Sequence, residues 1–241
     1  MFLIMFMYMI LFSSMQDLAT AKMEVMPKEI LQFMGVEGLN DMANYINYFG
    51  MINNFILIAV SIIVSSFAAK LITDEESVGT MEVLAGLAVS RREIYFSKLL
   101  VALTAVFCLV TTPIIAAMVC GFIGGGDTFI LSDFIIVAKT TSVIPFIFVF
   151  LALSLAAIIG RSFAVQISNF LVVASYMVGY LGKLLEDKGN WLRNFSPFEI
   201  LNVRSALNGD YIYTMSAYLI FIVIAIYISL KIYEKRDFKL S

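Results

Sequence analysis

The sequence predicts an all-α membrane protein with six transmembrane helices, the first of them short, and three observations lead there. Hydrophobic residues make up 61% of the 241 residues and charged residues 14%, against roughly 45–50% and 25% in soluble domains. The apolar residues are gathered into long runs, and a bilayer core of about 30 Å calls for about 20 helical residues at about 1.5 Å each. No linker separates these runs, so residues 1–241 are expected to form a single membrane domain.

The runs are Met1 to Phe12, Met51 to Ile72, Leu99 to Ile123, Phe134 to Ile159, Ala164 to Leu185 and Ile212 to Ile232. The first, at about 18 Å of helix, falls short of a bilayer core; a start upstream of Met1 is the expectation that accounts for it. A cleaved leader fits it poorly, because no Lys or Arg precedes it and no small-residue cleavage site follows. Between the first two runs, Pro27 at a helix start and Ile30, Leu31, Phe33 and Met34 up to Gly35 describe a short amphipathic helix on the membrane surface. Gly124, Gly125, Gly126 and Asp127 form a turn after the third run. Pro113 and Pro145 are expected to kink the third and fourth spans. Lys139 lies inside the fourth span near its end and is read as snorkelling to the interface. Trp191, Phe195 and Phe198, beside Pro197, are read as an aromatic cluster at the interface before the last span.

The densest chemistry lies between the second and third runs. Thr73 with Glu76 and Ser90 with Glu93 each fit a capping box, so two helix starts are expected there. Val78, Met81, Leu84 and Ala88 recur at helical spacing, giving a short helix an apolar stripe opposite Glu75, Glu76 and Glu82. A surface helix anchored to the membrane is one reading of this charged island, since acidic residues suit a first turn.

The island also resembles that of the permease subunits of type 2 ATP-binding-cassette exporters. Their pattern of Glu-Glu-x-x-Gly-Thr-x-Glu-x-Leu, then Ser-Arg, Glu-Ile and Lys, is matched by Glu75, Glu76, Gly79, Thr80, Glu82, Leu84, Ser90, Arg91, Glu93, Ile94 and Lys98. It departs at Ala88, where many relatives carry Pro. Weaker likeness extends to Asn194 through Phe198 and to Tyr233 through Asp237. The resemblance implies a cytoplasmic coupling helix between spans two and three that docks onto a separate ATPase subunit. Its contacts would come from Glu75, Glu76, Gly79, Thr80, Glu82, Leu84, Arg91 and Arg92. It further implies a prokaryotic plasma membrane, both termini cytoplasmic, and a second permease copy as homodimer or heterodimer partner. Export of a drug, peptide, lipid or glycan is the implied activity.

Several absences bound the chemistry. No Gly-x-x-x-x-Gly-Lys-Ser/Thr run occurs, so ATP is expected to be bound by a partner, with no cofactor held by this chain. The chain has no histidine, which removes Ser-His and Cys-His catalysis and His-based metal sites; no enzyme activity is expected. Cys108 and Cys120 are read as buried, inert thiols. A net charge of −2 gives no reason to expect nucleic acid; membrane lipid is the expected surroundings. Arg161, Lys231, Lys235, Arg236 and Lys239 crowd the island's side of the membrane, which places that side in the cytoplasm.

Inside the spans, Asn54, Ser61 and Ser65 on the second and Ser168, Asn169, Ser175, Tyr176 and Gly179 on the fifth form two stripes. Close helix packing explains such stripes. The resemblance adds that these spans face the partner copy and the translocation path. Two other classes remain: a secondary transporter, for which the midplane holds few charges, and a non-transporting scaffold or immunity protein, which has no need of the island's pattern.

Overall fold

The structure is a computed structural model that describes residues 1–14, 16, 27–33, 42–77, 90–159, 163–210 and 212–235. Among the described residues the secondary structure is helical, without strands. Helix α1 is Phe2–Ile10 and α2 is Lys28–Phe33; the long helices are α3 (Tyr45–Ser77), α4 (Arg91–Gly124), α5 (Leu131–Thr141), α6 (Val143–Ile159) and α7 (Phe163–Leu184). Three short helices follow, α8 (Asn190–Arg193), α9 (Pro197–Ile200) and α10 (Val203–Asn208), before α11 (Ile212–Lys235).

Five stretches are long and apolar enough to cross a bilayer: Tyr45–Asp74, Arg91–Gly124, Leu131–Ile159, Phe163–Leu184 and Met215–Glu234. The sixth expected span is the shorter apolar helix Phe2–Ser14, which packs against α3 and α4. Its Phe12 ring lies against Tyr45 and Tyr48, and the Tyr48 hydroxyl donates to the Tyr8 carbonyl at 2.9 Å.

Helix α3 is the axis of the bundle, touching α1, α4, α6 and α7. Val60, Val64, Ala68 and Ile72 form one helical stripe that is closed to solvent, and α6 offers Val149, Ala152, Leu153 and Ala156 from its own buried face. Small side chains at this contact let the backbones approach closely, which is how helices gain packing energy where lipid is as apolar as they are. Tyr45 at the start of α3 donates to the Ala117 carbonyl near the end of α4. The two helices are therefore antiparallel, and the end of α3 shares a pole with the start of α4.

The break between α5 and α6 has a specific cause. Pro145 lacks an amide hydrogen and its ring clashes with the carbonyl four residues back, that of Thr141, where α5 ends. Thr141 turns its hydroxyl to the Val137 carbonyl at 2.9 Å and accepts from the Asn53 side chain at 3.0 Å. Pro113, by contrast, lies within the unbroken α4.

One expected helix start is absent. Thr73 does not begin a helix: α3 runs through it to Ser77, and Thr73 is buried. Nothing between Ile72 and Ser77 breaks a helix, and the packed turn around Ile72 carries it forward. Ser90 behaves as its sequence predicts. Its hydroxyl accepts from the Glu93 amide at 3.3 Å and the Glu93 carboxylate accepts from the Ser90 amide at 2.8 Å, a complete capping box.

Candidate functional site

The ion pairs of the described residues gather at the two poles of the bundle. At the first pole α3 ends and α4 and α7 begin. The last turn of α3 holds Glu75 and Glu76, acidic residues at the helix end whose dipole disfavours them, and no basic residue accompanies them there. Gly79, Thr80, Glu82 and Leu84, with the expected stripe of Val78, Met81 and Ala88, lie outside the described residues. Arg91 and Arg92 open α4 and meet the end of α11. The Arg92 guanidinium pairs with the Glu234 carboxylate, and Arg91 Nη1 donates to the Glu234 carbonyl at 3.3 Å. Lys231 stands 3.8 Å from the same carboxylate.

One turn deeper, a buried chain ties three helices together. The Tyr95 and Ser229 hydroxyls share a hydrogen bond of 2.8 Å, and Ser229 donates to Ser154 of α6 at 3.4 Å. The Tyr95 and Tyr233 rings lie 5.8 Å apart. Glu234 and Tyr233 were noticed in the sequence only as part of a terminal motif; their role as anchors for the start of α4 is a finding of the tertiary structure.

At the second pole the short helices α8 and α9 fold back against the end of α7, and α10 packs on α5 and α3. Pro197 begins α9 and presets its φ. Phe198, read from sequence as an interfacial ring, is instead core: it is 3% exposed, stacked on Phe148 at 5.6 Å and edge-on to Tyr176 at 5.5 Å. Trp191 and Phe195 keep the expected exposed, edge-to-face pairing at 6.1 Å. Helix α2 closes onto this pole, with Phe33 edge-on to Tyr176 and Tyr180 and its carbonyl accepting from the Tyr176 hydroxyl at 2.6 Å.

This pole also holds an ion-pair node that the sequence reading missed. Glu199 Oε1 lies 2.7 Å from Lys183 Nζ, and its Oε2 lies 3.7 Å from Arg193 Nε. The Glu199 side chain is 9% exposed and that of Lys183 18%. Lys183, in the last turn of α7, also suits the negative end of that helix. Gly179 makes the approach of α9 possible, since a Cβ there would meet Ser196 Oγ at 2.5 Å and Glu199 Cγ at 2.7 Å. A carboxylate flanked by Phe198, Ile200 and Leu201 was the available signal, because a charge within an apolar run needs a partner.

Of the two expected polar stripes, Asn169 on α7 is met by Ser66, a neighbour of the α3 stripe, whose hydroxyl donates to its side chain at 2.9 Å. Ser61, Ser65 and Ser168 are buried within the bundle, with Ser168 bonded back to the Ala164 carbonyl at 2.8 Å. Tyr176 and Gly179 are also buried on the face of α7 that meets α2 and α9, while Asn54, Asn169 and Ser175 are half-buried. Among the cysteines, Cys120 is buried as expected, but Cys108 is exposed on the outer face of α4. Lys139 is exposed at the end of α5.

Five span-length apolar helices with their ion pairs at the two poles are the build of a multi-pass membrane protein, and comparison with known families narrows it. Residues 1–230 match the family described as multidrug efflux system permease Rv1217c, C-terminal domain. The chain belongs to that family. It is thus a multi-pass membrane protein of a transporter family. No curated protein and no solved structure matches it.

Proposed function

We propose that the chain is the transmembrane subunit of an ATP-driven exporter of the type 2 ATP-binding-cassette class. A separate ATPase subunit docks at the pole where α3 ends and α4 begins, and a second permease copy completes the transporter in the cytoplasmic membrane. The substrate class is that of the family, a drug-like molecule, with peptides, lipids or glycans as the wider range.

The observation that carries this reading is the Glu75 to Lys98 pattern joined to the placement of its flanks. Glu75 and Glu76 occupy a helix end whose dipole opposes them, an arrangement that a cationic surface on a partner would relieve. Without a Gly-x-x-x-x-Gly-Lys-Ser/Thr loop the chain needs an outside source of energy. Family membership and the span-length helices support the transport role. A second copy would meet the exposed apolar residues of α3 (Phe55, Ile63, Phe67) and α7 (Phe170, Val173, Met177), with the polar stripes behind them as the path.

The test is reconstitution with a cassette ATPase. Purified alone, the chain hydrolyses no ATP; co-expressed, it retains the ATPase through purification. Glu76→Lys and Glu82→Lys abolish substrate-stimulated hydrolysis while expression stays normal, and Glu186→Lys leaves it unchanged. Wild-type coupling in both island variants would overturn the docking assignment.

A further inference from the structure

A cavity of about 390 Å³ opens at the second pole, between the end of α7 and the start of α11. Trp191, Arg193, Asn194, Glu199, Ser205 and Asp210 are among its lining residues. Its volume suits a small polar ligand or a lipid headgroup. Three features give the ligand's chemistry. Arg193 reaches Glu199 only through Nε at 3.7 Å, and its other guanidinium nitrogens make no hydrogen bond among the described residues. They remain available to an anionic oxygen, which a guanidinium binds well. Asp210 is exposed and makes no ion pair among the described residues. Glu199, which lines the cavity, has a side chain more than nine-tenths enclosed, and its Oε2 accepts no hydrogen bond, with Arg193 Nε 3.7 Å away. A buried carboxylate oxygen without a donor is costly, so a ligand that brings an N–H is favoured there.

An anion for Arg193 and a hydrogen-bonding cation for Asp210 and Glu199 are the two ends of a zwitterion. The place narrows the source. The cavity sits just past the span-length part of α7 and just before that of α11, beside the exposed rings of Trp191 and Phe195. Aromatic rings in such positions mark headgroup depth. Ile212 and Tyr213, exposed on the first turn of α11, continue from Asp210 as an apolar surface for an acyl chain.

We propose that this cavity binds the phosphoethanolamine headgroup of a membrane phospholipid, with phosphate on Arg193 and ammonium on Asp210 and Glu199. A phosphocholine headgroup has the same charges but no N–H for the orphaned oxygen, and a phosphoglycerol headgroup has no cation. The site is independent of any ATPase, so its failure leaves the transport reading intact.

The full chain is reconstituted in nanodiscs of equal phosphatidylethanolamine, phosphatidylcholine and phosphatidylglycerol, released, and weighed by native mass spectrometry. Wild type retains phosphatidylethanolamine about tenfold over the other two, the factor expected of one charge-assisted hydrogen bond. Arg193→Gln and Asp210→Asn each bring the retained lipids close to the bulk ratio. Asp210 is exposed and leaves the Lys183 to Glu199 pair in place, so this second variant speaks even if the first fails to fold. Retention in the bulk ratio by wild type, or selectivity unchanged in Asp210→Asn, overturns the proposal. Soluble phosphoethanolamine separates the sources: displacement of the lipid only at large excess supports the lipid, whereas binding of the free compound as tight as that of the lipid overturns it in favour of a soluble zwitterion.

Discussion

The two poles of the bundle each carry a carboxylate flanked by two cations, and they use the same chemistry to different ends. At the first, Glu234 meets Arg92 and Lys231 in the open, with the Arg92 side chain 60% exposed. At the second, Glu199 meets Lys183 and Arg193 under cover of α9, with the carboxylate side chain only 9% exposed. Water screens the first trio, so its attraction contributes little. It costs little to make and little to break. In the second trio Glu199 and Lys183 are enclosed, and there the price of separating the charges rises to about 3–5 kcal/mol when one partner is removed. Burial, more than the identity of the charges, sets how firmly each carboxylate is held.

The largest test of this contrast is Lys183→Met. It leaves Glu199 enclosed without its 2.7 Å partner, and thermal unfolding in detergent is expected to show a loss of about 3–5 kcal/mol. Adding Glu199→Leu to it removes the stranded charge and restores most of the loss. A double variant as unstable as Lys183→Met would show that shape, not charge, holds α9 in place.

A smaller loss is expected from Gly179→Val. Its side chain would drive into Ser196 and Glu199, and overpacking of this kind costs about 1–3 kcal/mol. Because the collision lies under α9, cysteine labelling at Phe198, now 3% exposed, should rise in a Gly179→Val, Phe198→Cys chain relative to Phe198→Cys alone. Equal labelling would mean that α9 adapts without lifting.

The smallest stability change belongs to Arg92→Gln. Unfolding should shift only slightly, since the Arg92 to Glu234 pair is solvent-exposed and Ser90 still caps α4. A drop comparable to that of Lys183→Met would erase the distinction between the poles.

Much of the molecule was legible in local sequence. The apolar runs located five span-length helices because their length is dictated by the bilayer, and the shortness of Phe2–Ser14 was visible in the same way. Ser90 with Glu93 predicted its own capping box, an interaction that closes within one turn and needs no distant partner. Pro145 announced the α5 to α6 break for the same reason. Thr73 with Glu76 carried an identical signal and was overruled, because the buried turn around Ile72 holds the helix through it.

The remainder depended on which helices became neighbours. That Phe198 is core and Trp191 is not, that Ser66 of α3 finds Asn169 of α7, and that Glu199 finds Lys183 sixteen positions earlier are matters of packing between segments. Hydropathy assigns a residue to membrane or water, but within a membrane both the core and the lipid face are apolar, so it cannot say which way a helix turns. Sequence by itself determined where the span-length apolar runs lie and the cap that starts α4. Tertiary structure alone decided their rotation and partners, and with them which charges are buried together and which remain at the surface.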